Sequence, residues 1–237
     1  MLVAAAVCPC PPLLVPEVAA GAAGELAAAR TACSDALAVL AASRPDRLVV
    51  VGPAGGDAAG SYPQGSPGSF RRFGVPGTEV RLGTGEAAGG RELPAALAVA
   101  AWLLDHTTWS AAPVSGLAVD PALGTDGCLA AGRELAAGPE RTALLVLGDS
   151  SACRTVKAPG YLDERAAGFD AAAARALGTA DTAALAAIDA DLATALQAAG
   201  RAPWQVLAGA AEVAGLDGRL LYEDAPYGVG YLVAAWS

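Results

Sequence analysis

The chain has 237 residues, 54% hydrophobic and 16% charged, with a formal net charge of −9; so much apolar side chain fills a globular core and argues against a disordered chain. The acidic balance repels phosphate backbones, so nucleic acid is not an expected partner. Its alanine-rich stretches are interrupted by charges, leaving no run of about 18 uncharged apolar residues of the kind a membrane span needs.

The first strand is read at Leu2–Val7, a short apolar run closed by Cys8-Pro9-Cys10-Pro11-Pro12. Proline has no N–H for a ladder, so the strand stops there, buried on both faces. No Lys or Arg precedes the run, and it is too short for a secretion signal. Five cysteines, an odd number, then read as free thiols of a cytoplasmic protein.

A long helix is expected from Pro16 to about Ala42, with Leu26, Cys33, Leu37 and Leu40 along one face. Leu48–Val51 follows as a second buried strand, which makes the opening a β-α-β unit with a right-handed crossover. From Gly52 to Gly77 the chain is rich in Gly, Pro and Ser and shows no period; it reads as a long loop at the rim of a pocket. Arg71 and Arg72 in it are either solvated or anion-binding.

Further elements are a strand at Glu79–Leu82, a helix at Pro94–Asp105, a strand at Val114–Val119 and a helix near Asp126–Ala137. Thr142–Leu147 is a third buried strand, ending in Gly148-Asp149-Ser150-Ser151-Ala152-Cys153. Helices are expected from Asp163 and from Asp181, the latter ending at Gly200, and another from Pro203 toward Ala214. Strands at Arg219–Tyr222 and Gly230–Trp236 close the chain. This alternation predicts one α/β domain over residues 1–237, a mixed, mostly parallel central sheet with helices on both faces.

Most familiar chemistries fail on inspection. Gly148–Ala152 has the outline of a nucleophile elbow, but Pro159-Gly160 follows too soon for its helix, and the only histidine, His106, lies upstream at a helix end, where a capping or surface role is expected. Zinc or iron needs three or four donors, and the sequence spacing supplies none of the usual pairs. No phosphate-binding glycine motif occurs.

Three stretches taken together carry a resemblance: Cys10-Pro11-Pro12-Leu13-Leu14-Val15-Pro16-Glu17, Gly148-Asp149-Ser150-Ser151-Ala152, and Tyr227-Gly228-Val229-Gly230-Tyr231-Leu232-Val233-Ala234. The chain resembles the class III extradiol dioxygenase catalytic subunits and their Memo-like branch over nearly its full length. That resemblance implies a single α/β domain, and in the family's enzymes a non-haem Fe(II) that opens catechol rings with O₂. It also implies what stands at the reactive positions. Cys10 takes the place of the first ligand histidine and Ala54 falls near the second. Ala152 stands where the acid/base histidine belongs, and Ala199 where the Memo-like branch has a ligand cysteine.

Alanine neither binds a metal nor moves a proton. The expectation is therefore a protein of this fold without metal or cofactor, binding a small molecule or a protein partner at the strand-end cleft, with homo-oligomerisation left open. Cys10, Asp149 and Ser151 are the candidate chemical residues, and Ser150, Arg154 and Lys157 the candidate ligand-binding ones. Two alternatives stand beside it. One is a non-iron enzyme with Cys10 as nucleophile or redox thiol, its pKa lowered by Arg154, Lys157 or the helix near Pro16; the other is a divergent ring-cleaving dioxygenase.

Overall fold

The structure, a computed structural model, describes residues 1–85 and 90–237. Its centre is the parallel group β6 (Val114–Val119), β2 (Arg47–Pro53), β7 (Thr142–Leu147) and β1 (Leu2–Cys8), adjacent in that order. The short β3 (Gly60–Tyr62) adds antiparallel to β6 at one edge; β9 (Tyr231–Trp236) and then β8 (Gly218–Asp224) add antiparallel beyond β1 at the other. The mixed, mostly parallel sheet is as expected.

Side-chain alternation sorts the strands between two cores. Ala4, Ala6 and Cys8 of β1 face the core shared with α2 (Ala27–Ala42) and α3 (Ala95–His106), whereas Ala5 and Val7 face the one built with α5 (Ala166–Gly178) and α8 (Arg201–Ala211). Cys33 is fully buried in the first core, where its thiol meets that of Cys8. On the second face, α4 (Thr125–Ala136) packs on α8 in backbone contact. A Cβ added at Gly132 would lie 2.0 Å from the Val206 carbonyl oxygen, and one at Gly209 2.2 Å from that of Leu129, so only glycine allows this approach.

Several elements differ from the sequence reading. The first helix is broken: α1 (Pro16–Ala19) gives way to a 3₁₀ segment over Ala20–Leu26 before α2 begins. Ala20 adopts a positive φ of 49°, and Gly21 and Gly24 weaken the helix that would otherwise continue. The stretch from Gly52 to Gly77 is not structureless. It finishes β2, forms β3, and folds β4 (Pro67–Phe70) and β5 (Val75–Arg81) into a separate antiparallel hairpin. Its glycines sit at the turns, Gly74 at φ 84°, which disguised short strands as loop. The helix expected from Asp181 to Gly200 is two, α6 (Thr182–Ala186) and α7 (Ala190–Ala195). Asp181 caps the first through the Ala184 N–H at 2.9 Å and Asp189 the second through the Leu192 N–H at 2.7 Å.

Among the described residues no helix is long and apolar enough to cross a membrane.

Candidate functional site

The parallel strands β1, β7 and β2 end side by side, which brings Cys10, Asp149 and Ala54 to one edge of the sheet. The β1–β7 register pairs Cys8 with Leu147, and the Gly148 N–H donates to the Cys8 carbonyl at 3.0 Å. Two residues beyond, the Cys10 N–H donates to Asp149 Oδ1 at 2.8 Å. On the far side of β1, the antiparallel register pairs Val7 with Ala234, and Tyr231, which opens β9, lies within electrostatic reach of both Asp149 and Cys10.

The electrostatics of this group are set by burial. Asp149 keeps part of its surface exposed; burial by the surrounding protein pushes its carboxyl up to about 7, and only the Cys10 N–H opposes the shift. No Lys or Arg contributes. Cys10 is 8% exposed, and burial first, then the neighbouring Asp149 charge, drive its thiol well above the usual range, an Asp149 backbone hydrogen bond acting the other way. Tyr231 is 2% exposed; burial first and then Asp149 raise its phenol. The hydroxyl of Tyr227, in the turn before β9, is buried and faces Glu25; burial first and then that carboxylate raise its pKa.

The other expected site residues serve a different centre. Ser150 Oγ donates to Asp170 Oδ1 at 2.5 Å, the Ser151 N–H to the same oxygen at 2.8 Å, Ser151 Oγ to Oδ2 at 3.0 Å, and Arg154 Nη1 to Oδ2 at 2.9 Å. Asp170, on α5 and 1% exposed, thereby pins the loop after β7. The same loop is laced to the turn before β9: the Ser150 N–H donates to the Gly230 carbonyl and the Gly230 N–H to that of Ser151, both at 2.8 Å. A Cβ on Gly230 would come within 2.6 Å of Asp170 Oδ2. Lys157 is exposed on the surface of this loop. Neither Arg154 nor Lys157 figures among the influences on the Cys10 thiol, and α1 is a single turn of four residues.

The remaining positions singled out by the resemblance carry methyl groups. Ala54 closes β2, its N–H donating to the Val119 carbonyl at 2.9 Å. Ala152 is 8% exposed. Ala199 lines a largely apolar groove of about 260 Å³ with Pro121, Gln197, Ala198 and Ala202. The chain that lines it is tied to the loop after β7, the Gly200 N–H donating to the Asp149 carbonyl at 2.8 Å. Arg201 borders it too, but its guanidinium turns inward to the carbonyls of Leu123, at 2.6 Å, and Pro121, and to Gln205 Oε1 at 3.0 Å. Among the described residues no three His, Cys, Asp or Glu side chains gather closely enough to hold a metal ion.

A larger cavity, about 660 Å³, lies away from these strand ends at the β4–β5 hairpin, bordered by Arg71, Glu79, Arg81, Glu92 and Asp105. Its wall includes Gly85 and Gly90, which flank residues outside the described ones, so its volume does not define a site. Arg71 there pairs with Glu79 at 2.8 Å, and Arg72 is exposed. His106 ends α3 as expected, its ring stacked on Trp102 at 3.8 Å and Nδ1 at 2.9 Å from the Trp102 carbonyl.

Asp170 and Arg201 were not singled out from sequence. One precedes an alanine run and the other follows a glycine, and both look like solvent-facing charges until the fold buries them.

No protein-family model matches the chain, and neither does any curated protein. Among solved structures, the crystal structure of the uncharacterized protein JW3007 from Escherichia coli K12 is similar, at 15% identity over 99% of each chain with a TM-score of 0.53. The likeness is one of fold alone. It extends over the sheet and both helical layers, and leaves the chemistry to be argued from the residues at the strand ends.

Proposed function

We propose that this chain is an extradiol-dioxygenase-like protein without an iron site, which binds a small molecule at the C-terminal edge of its parallel strands and does not transform it. The observation that carries the reading is the donor-poor sheet edge. Cys10 and Asp149 meet there, while the other positions that the resemblance makes reactive, Ala54, Ala152 and Ala199, carry only methyl groups. A ring-cleaving iron needs three protein ligands and open positions for catechol and O₂. A thiolate nucleophile needs a lowered pKa and a base, and Cys10 has a raised pKa with no histidine beside it. Binding asks less: a concave, mostly apolar surface with a few polar groups that fix orientation, which the groove lined by Ala199, Gln197 and Arg201 supplies.

Ligand-observed NMR against a mixture of small neutral, cationic and anionic aromatic compounds tests this. Binding that is lost when the groove is filled by Ala199→Phe is the expected result. Catechol consumption by the Fe(II)-supplemented protein, or binding indifferent to that substitution, would overturn it.

A further inference from the structure

The groove of about 260 Å³ is built around the start of α8: Ala198 and Ala199 precede the helix, Arg201 and Ala202 open it, and all four line the space. α8 runs for 11 residues from Gly200 at its N-cap, with no side chain capping it. The Trp204 N–H donates to the Gly200 carbonyl at 2.9 Å, the Arg201 N–H reaches the Ala198 carbonyl at 3.3 Å, and Pro203 has no N–H to place. The Ala202 N–H is left with no backbone partner among the described residues, at the end of a helix where partial positive charge gathers. Arg201 adds a full charge. It is 4% exposed, and among the described residues no carboxylate pairs with it. Nη1 and Nη2 hold the Leu123 and Pro121 carbonyls and Gln205 Oε1, while Nε has no partner among the described residues and is not one of the nitrogens sealed inside the protein. The open space that Arg201 borders is the groove. A buried guanidinium held by neutral acceptors alone keeps an uncompensated charge.

Resting on the binding reading above, we infer that the groove takes a small organic carboxylate, its anionic end on the Arg201 Nε–H and the Ala202 N–H and its apolar body against Pro121, Ala193 and Ala198. An arginine N–H and a helix N-terminus both favour an anion, and a charge-assisted hydrogen bond is roughly twice as strong as a neutral one. The methyl-lined walls suit a hydrocarbon body and offer a highly charged ligand little else to bind. Asp120, next to Pro121 in sequence, does not occupy the place of the anion: its carboxylate takes the Ala122 N–H at 2.8 Å and the Gly56 N–H at 3.4 Å. The net charge of −9 works against an anion at long range, so a preference for one has to come from the groove itself.

Isothermal titration of the full chain at pH 7.5 with benzoate, benzyl alcohol and benzylamine, three probes of similar size and different charge, tests the inference on the unaltered protein. Benzoate is expected to bind at least about tenfold more tightly than either of the others. Ala199 is half-buried at the groove, and Ala199→Asp sets a fixed carboxylate there, whereas Ala199→Asn has the same size without the charge. The Asp variant is expected to weaken benzoate binding at least about tenfold more than the Asn variant does. Equal or tighter binding of benzyl alcohol or benzylamine would overturn the carboxylate inference and leave the binding reading standing. Equal effects of Asp and Asn at position 199 would place benzoate elsewhere and overturn it as well. Absence of binding by all three overturns it outright, and the broader NMR screen then decides the reading beneath it. Should either variant not fold, the ranking of the three probes on the unaltered chain is itself decisive.

Discussion

The N–H of Cys10 donates to Asp149 Oδ1 at 2.8 Å across the ends of β1 and β7, and this bond is the only one opposing the burial that raises the Asp149 carboxyl to about 7. An aspartate raised in the folded state works against stability as it ionises. The unfolded chain releases this proton near pH 4, the folded chain only near 7, so stability falls as pH rises through that window and levels off above it. The three-unit gap sets an upper bound of about 4 kcal/mol, and a loss on the order of 1–4 kcal/mol is expected. Urea unfolding of the wild type and of Asp149→Asn at pH 5 and pH 8 checks this: the Asn variant gains on the wild type at pH 8. Parallel pH dependences would remove Asp149 from the account.

The Asp170 centre predicts a different pattern. Asp170→Asn removes the charge from a side chain that is 1% exposed and takes four hydrogen bonds, and is expected to cost about 2–4 kcal/mol. Arg154 is one-third exposed and its removal leaves the serine donors in place, so Arg154→Ala is expected to cost less, about 1 kcal/mol. Chemical denaturation of the two variants ranks them; an Arg154 effect equal to that of Asp170 would contradict the arrangement.

Where α4 and α8 touch, propensity and sterics oppose each other. Alanine gains up to about 1 kcal/mol over glycine in a helix interior, but a Cβ at Gly209 would lie 2.2 Å from the Leu129 carbonyl oxygen, and forcing the helices apart costs about 1–3 kcal/mol or more. Gly209→Ala is therefore expected to lower the melting temperature, whereas the same change at Gly168, whose Cβ would meet nothing within 4 Å, raises or preserves it. A stabilising Gly209→Ala would mean the helices do not approach so closely.

How much of this was legible beforehand follows from how each residue signals itself. Val114–Val119 and Thr142–Leu147 match β6 and β7 to the residue, because apolar runs bounded by Pro, Gly or a polar turn leave little choice of boundary. The Cys10–Asp149 meeting was implicit in both residues closing buried parallel strands. The break at Ala20 and the split between α6 and α7 were hidden by alanine, whose uniform run reads as one helix whatever the chain does. Ser150, Ser151 and Arg154 were expected to line a ligand cleft, whereas their side chains bind a common partner, Asp170, 16 to 20 residues along the chain. Tertiary contact alone reveals such a centre.

The thiol gives a prediction of its own. With its pKa raised by burial and by Asp149, Cys10 is almost entirely protonated at neutral pH and shielded from reagents. Iodoacetamide labelling of the native protein at pH 7.5, read by peptide mass spectrometry, is expected to modify Cys10 at least about tenfold more slowly than the same cysteine in the urea-unfolded chain. Faster labelling in the folded state would restore the nucleophile reading.

Elemental analysis of the protein, purified without chelators and then equilibrated with Fe(II) under nitrogen, bears most directly on the proposal that the strand edge holds no iron. Iron and zinc each well below one equivalent after desalting is the predicted result. One equivalent of iron retained through desalting, and released when Cys10 is replaced by alanine, would contradict it.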